Sequence, residues 1–266
     1  MMSETATIEP SRILSDTAAR ATQGFALEIE HLTVSFDGFK AVDDLSMAVE
    51  QHELRVVIGP NGAGKTTLLD LICGKTNPSS GSIKFNDIEL IGKSEPNIVK
   101  LGVGRKFQTP SIYPKLSVYE NLEISYPVGR SVLGSLFFQR TPQVIERVQQ
   151  IAEEIYLAEF LHKQAELLSH GQKQWLEIGM LLIADPKLVM LDEPVAGMSA
   201  RERQATAELL ARICPGRVVL VIEHDMNFVR QIAHKVTVMH QGKILAEGSM
   251  DEVQANEQVV KVYLGH

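Results

Sequence analysis

Cysteine, tryptophan and long apolar runs are what this 266-residue chain has least of: two cysteines, one tryptophan, and aromatics at 6% of residues. Cys73 and Cys214 are too few for a disulfide framework, and neither has a metal-ligand neighbour in sequence, which excludes a Cys-rich zinc site. Each sits in an apolar helical pattern and reads as a buried free thiol of a reducing compartment. The longest apolar candidate, Leu181 to Leu191, is broken by Asp185-Pro186-Lys187, so nothing approaches the ~18 consecutive apolar residues of a membrane-crossing helix. The chain reads as soluble by itself. Positive charge is also short: 26 Lys and Arg against 33 Asp and Glu leave a net charge of −7. That balance argues against a protein whose main work is binding nucleic-acid phosphates. No internal repeat or low-complexity block occurs.

What is present is length for one large domain, or a domain with a lobe, and a sizeable core. Residues 1–24 are rich in Ser, Thr and Ala, and Glu4, Glu9 and Asp16 spoil secretory and organellar targeting patterns. They read as a flexible N-terminal tail.

The chain is organised around Gly59-Pro60-Asn61-Gly62-Ala63-Gly64-Lys65-Thr66, a complete G-x-x-x-x-G-K-[ST] pattern. It follows the apolar run Leu54 to Ile58, a buried strand. It opens a helix with Leu68, Leu69, Leu71 and Ile72 at helical spacing and Gly74 as its stop. A triphosphate must be met by a concave nest of backbone N–H groups at a helix N-terminus, which side chains would block. Glycines at 59, 62 and 64 let the backbone close round the phosphate. Lys65 brings a point charge, and the Thr66 hydroxyl can ligate Mg²⁺.

Before the loop, Leu27, Ile29, Leu32, Val34 and Phe36, then Leu45, Met47 and Val49 beyond the turn at Asp37-Gly38, predict antiparallel strands; Ile83 and Phe85 extend this layer. From Ser117 to about Leu168 the pattern is helical. Within that lobe, Val132 to Phe138 is an apolar run that suits a partner contact or a core helix equally. Ser169 with Gln172, and Ser199 with Glu202, have the spacing of capping boxes. Leu188 to Leu191 and Val218 to Ile222 read as buried parallel strands, and Val236 to Ile244 about Gln241-Gly242 as a terminal hairpin.

Ligands collect at the carboxyl ends of strands in open α/β sheets. Asp192, after Leu191, suits the carboxylate that holds Mg²⁺, and Glu193 a group that polarises an attacking water. His224, after another strand, suits a γ-phosphate contact. Phe36 offers an aromatic face for adenine, although a lone phenylalanine is more often core. His31, His162, His234 and His240 are read as structural. Gln108 precedes Thr109-Pro110 and sits at a joint.

The ordered set of phosphate loop, Gln108, Leu168-Ser169-His170-Gly171-Gln172, Leu188 to Glu193, and His224 resembles the ATP-binding subunits of ABC transporters, over about residues 25–266. The resemblance implies an α/β fold, a P-loop NTPase (RecA-like) core with an antiparallel β subdomain and a helical subdomain at about 109–184. It implies ATP and Mg²⁺ as cofactors. Phe36, the stretch Gly59 to Lys65, Thr66 and Thr67 would bind nucleotide, with Ser169, Gly171 and Gln172 contributing from a facing subunit. Thr66, Gln108 and Asp192 would hold the metal, and Glu193, His224 and Gln108 would serve catalysis.

More narrowly, Gly104 to Pro110, Glu193 to Met198, Glu223-His224-Asp225-Met226 and Val262-Tyr263-Leu264-Gly265 look like the branched-chain amino acid and urea importer branch. The string Leu168 to Met180 is most similar to urea-transport ATPases. The implied partners are a related second ATPase subunit, two transmembrane permease subunits and, indirectly, a periplasmic solute-binding protein. No nucleic acid is expected. The implied place is the cytoplasmic face of a bacterial inner membrane, held peripherally. Branched-chain amino acid import, a soluble non-transport ABC ATPase, and a subunit that clamps ATP but barely hydrolyses it are the alternatives. His170 stands where the family usually has glycine, and Ser199 where many members have aspartate.

Overall fold

A computed structural model describes residues 24–106, 112–127 and 140–263. The expected strands open it: β1 (Phe25–Phe36) and β2 (Phe39–Glu50) form an antiparallel hairpin. Asp37 and Gly38 both have positive φ, 49° and 87°, which suits the right-handed twist of a two-residue turn. The alternation of β1 slips between Ile29 and Leu32. There His31 adopts φ 49°, the register shifts, and its Nδ1 meets Asp44 Oδ1 at 2.8 Å. With β4 (Ser80–Phe85) and β5 (Ile88–Glu89), the hairpin makes a four-stranded antiparallel sheet in the order β2-β1-β4-β5.

The second sheet has six strands. β3 (Leu54–Ile58), β6 (Val103–Lys106), β7 (Leu188–Asp192), β8 (Val218–Ile222), β9 (Lys235–His240) and β10 (Lys243–Gly248) run in the order β10-β9-β3-β8-β7-β6. All neighbours are parallel except β10, which closes the terminal hairpin onto β9. Successive side chains point to opposite faces. Val189, Leu191, Val219 and Val221 therefore join one buried cluster, while Leu188, Met190, Val218, Leu220 and Ile222 join the other. Burial on both faces is why these strands are unbroken apolar runs rather than alternating ones.

One face carries α1 (Lys65–Ile72) and the antiparallel sheet. The other carries α3 (Val118–Ser125), α4 (Pro142–Glu154), α5 (His170–Leu182), α6 (Ala200–Ile213) and α7 (Met226–Ile232). The short α2 (Glu95–Lys100), after β5, and α8 (Met250–Ala255) and α9 (Glu257–Tyr263), after β10, were not anticipated. Too few apolar residues recur in them for periodicity to show. Among the described residues, the stretch read as helical from Ser117 contains α3, α4 and two short 3₁₀ turns at Ala158–Phe160 and Ala165–Leu167. The Val132 to Phe138 run lies outside the described residues. Both cysteines are buried and unbridged, as expected.

Serine caps recur. Ser117, Ser169, Ser199 and Ser249 each close a full capping box on α3, α5, α6 and α8. α1 differs, since it begins at Gly64 with no side-chain cap and no acid in its first turn. Its N-terminus carries backbone donors without any anionic group of its own to meet them.

Candidate nucleotide site

The site lies where β3, β8 and β7, adjacent in the sheet, end together. After Ile58 the chain turns through Gly59 to Gly64 into α1, and two glycines there are required by space. A Cβ on Gly59 would run into the carbonyl of Met239 on β9, and one on Gly64 into the carbonyl of Ala41 on β2. Gly64 also has φ 98°, a conformation side chains resist. The loop is thus wedged between both sheets, with Asn61 and Gly62 exposed at its tip. Pro60 O accepts from Ala63 N at 3.1 Å, which tightens the turn, while Thr67 is half-buried at the start of α1.

Lys65 Nζ donates to the carbonyls of Gly59 at 2.7 Å and Pro60 at 3.0 Å, folding the ammonium over its own loop. Burial pulls its pKa down, and the charges of Glu193 and Asp192 oppose that shift. Thr66 Oγ1 donates to Asp192 Oδ2 at 3.2 Å, across 126 residues of sequence. Asp192 is 1% exposed at the end of β7. Behind it, Arg105 on β6 reaches Asp70 on α1 at 2.6 Å and Asp192 at 4.0 Å, so one guanidinium fastens the strand end to the loop's helix. A hydroxyl and a carboxylate meeting beside a backbone nest form a hard-oxygen donor set that fits Mg²⁺ and a triphosphate.

Glu193, next after the strand, holds φ 48° while its N–H donates to Ile222 O at 3.0 Å. Positive φ outside glycine is uncommon and concentrates at working sites. It aims the carboxylate toward His224, whose Nδ1 lies 3.6 Å from Glu193 Oε1. Both side chains are solvent-accessible.

Phe36 sits at the hairpin tip opposite Phe39, and the two are 48% and 65% exposed. The contact of Ala41 with Gly64 lays this hairpin along the phosphate loop. Phe39, which the sequence reading passed over, is the more exposed; an aromatic beside the turn was its only signal. Gln108 lies outside the described residues.

Ser169 caps α5, taking Gln172 N at 3.2 Å while Gln172 Oε1 takes Ser169 N at 2.9 Å. The Ser169 hydroxyl donates to Glu202 Oε1 at 3.0 Å, and His170 donates from Nε2 to Ala196 O at 3.0 Å. A Cβ on Gly171 would overlap the Glu202 carboxylate. The structure therefore brings His170 to the segment that follows Glu193, and Ser169 and Gly171 to Glu202 of α6, contacts invisible in sequence. Ser199 caps α6 through Glu202.

A phosphate loop on a parallel sheet, an antiparallel sheet over one face, and a helical layer whose serine-capped helix meets the segment after the strand-end acids define an ATP-binding cassette. The family model described as ABC transporter matches residues 42–196, and that described as branched-chain amino acid ATP-binding cassette transporter matches residues 243–266. The high-affinity branched-chain amino acid transport ATP-binding protein BraF of Pseudomonas aeruginosa is 34% identical, over 90% of this chain and 97% of its own length. LivG of Escherichia coli, with the same description, is 32% identical at the same coverage. A crystallised ATP-binding cassette of an ABC transporter in its ADP conformation superposes with a TM-score of 0.81 at 31% identity, covering 91% of this chain and 99% of that one. A nucleotide-free cassette gives 0.79 at 30% identity, with 91% and 100% covered. The chain belongs to the ABC transporter family, as an ATP-binding subunit of its branched-chain amino acid group. It is an ATPase that uses ATP with Mg²⁺.

Proposed function

We propose that this chain powers an ABC importer for urea by hydrolysing ATP at a site completed by a second ATPase subunit. The observation that carries the catalytic part is the convergence of Thr66, Asp192, Glu193 and His224 at three adjacent strand ends. Lys65 and the nest from Gly59 to Thr67 bind the phosphates, and Phe36 stacks on adenine. Thr66, Asp192 and Gln108 hold Mg²⁺, which neutralises phosphate charge when bound. Glu193 orients and deprotonates the attacking water. His224, beside it, holds Glu193 and the γ-phosphate end in register.

Ser169, Gly171 and Gln172, at a helix N-terminus, supply anion contacts to the facing subunit's nucleotide. Closure of the pair then depends on the γ-phosphate and is undone by hydrolysis. Residues from about 109 to 184 form the helical subdomain, onto which one of two permease subunits docks, and Gln108 relays closure to it. The segment expected as an N-terminal tail lies, apart from Gly24, outside the described residues. The partner ATPase is a related chain, a periplasmic binding protein delivers solute, and the complex sits peripherally at the cytoplasmic face of a bacterial inner membrane. No described helix is long and apolar enough to cross a membrane.

Support for urea comes from the signature-helix string Leu168 to Met180. The names of the relatives favour a second reading, branched-chain amino acids. Uptake of labelled urea and of labelled leucine after deletion of this chain separates the two. Loss of high-affinity urea uptake with leucine uptake intact supports the first, and the reverse result replaces it with the second.

A further inference from the structure

Glu223 directly precedes His224 and is 1% exposed, in a site whose other acids have assigned work. Its Oε2 accepts from the backbone N–H of His224 at 3.0 Å and of Asp225 at 3.5 Å, while its Oε1 accepts from Val195 N at 3.3 Å. Val195 is two residues beyond Glu193, and Asp225 caps α7 through Asn227 N and Phe228 N. Asp225 also pairs with Arg203 of α6 at 2.7 Å. One carboxylate thus joins the loop after β7 to the loop after β8. His224 Nδ1 lies 4.0 Å from Glu223 Oε2 and 3.6 Å from Glu193 Oε1, between the two acids.

We infer that Glu223 is a positioning residue for hydrolysis: its carboxylate sets the placement of Glu193 relative to His224 by holding both backbones from below. A carboxylate is suited to this because it is acceptor-only, with two oxygens that can each take N–H groups from a different loop. A buried acid is costly unless its oxygens are bonded, and burial does push the Glu223 carboxyl up, against the pull of the three N–H groups. Glutamine has the same shape but must turn an NH₂ toward one of the two loops, donor against donor. The expected consequence is displaced catalytic groups beside an intact phosphate loop.

This inference rests on the reading of Glu193 and His224 as catalytic groups. The test uses the full chain assembled with its partner subunits, comparing Glu223→Gln and Glu223→Met with Glu193→Gln and His224→Ala, and measuring kcat and the Kd of a non-hydrolysable ATP analogue. For both Glu223 variants we expect kcat to fall about 10- to 100-fold, the scale of a misplacement by about an ångström, with Kd within about twofold of wild type. In a His224→Ala background, Glu223→Gln should cost less than it does in the wild type, because part of its effect passes through that residue. Unchanged kcat, a parallel loss of analogue binding, or additive losses in the double variant overturns the inference. If Glu193→Gln and His224→Ala keep wild-type kcat, the catalytic reading itself has failed, which is a distinguishable result. Either Glu223 variant suffices if the other does not fold, and analogue binding at wild-type Kd shows that it has.

Discussion

The Ser169 hydroxyl donates to Glu202 Oε1 at 3.0 Å, and the other oxygen of the same carboxylate takes Ser199 N and Oγ at 2.9 and 2.8 Å. A negative charge therefore sits against the helix N-terminus proposed to receive the facing subunit's γ-phosphate. An arriving phosphate must displace it from Ser169 and approach a like charge. Glu202→Gln keeps the capping geometry and removes the charge. We expect ATP-driven pairing of the assembled subunits at about two- to fivefold lower ATP, in keeping with an exposed charge interaction of up to about 1 kcal/mol. Pairing at unchanged or higher ATP concentration would count against this role for Glu202.

Glu193→Gln should leave ATP bound and hydrolysis slowed about 10²- to 10⁴-fold, the usual contribution of a positioned base. Nucleotide trapping with a radiolabelled ATP checks binding, and phosphate release checks turnover. Wild-type turnover in this variant would refute the base assignment.

Gly64 and Gly62 separate steric need from conformational need. Both have positive φ, 98° and 79°, but a Cβ on Gly64 meets the Ala41 carbonyl whereas one on Gly62 meets nothing within 4 Å. Gly62→Ala should cost stability by about 1–2 kcal/mol of backbone strain. Gly64→Ala should in addition push the loop off β2 and weaken ATP binding by at least about tenfold, as a backbone nest tolerates little displacement. Thermal melts and nucleotide titrations of the two variants decide it, and equal effects at both positions would refute the wedge.

Three of the capping boxes carry a carboxylate. Glu120, Glu202 and Glu252 are held below their ordinary value of 4.5, first by the backbone N–H of their serines and then by the serine hydroxyls. A lowered folded pKa stabilises the fold above 4.5 and loses that contribution as pH falls through the folded value. The fourth box, Ser169 with Gln172, has an amide and does not titrate. A triple variant with Glu120→Gln, Glu202→Gln and Glu252→Gln should therefore lose Tm less steeply than the wild type between about pH 5 and pH 3. Equal slopes would remove the caps from the acid response.

The sequence by itself determined the phosphate loop, the buried strands and the caps, because each rests on chemistry local to a few residues. Gly59 to Thr66 must form a nest before a helix; Leu188 to Leu191 and Val218 to Ile222 are apolar because both faces are covered; Ser169 and Ser199 meet donors three residues on. The strand-end acids and His224 were legible by position. What only the tertiary structure decided is which of these meet. Thr66 reaches Asp192 because β3 and β7 flank β8, an order no local pattern encodes. The distant partners of Arg105, Glu202 and Glu223 were missed for the same reason: an ionisable residue has no periodic signature, and its partners are chosen by strand order and helix packing. β9 read only as half of a hairpin, yet its other edge pairs with β3 and its Met239 carbonyl closes on Gly59. Local chemistry marked the groups, while the crossing of strands and helices set the distances between them.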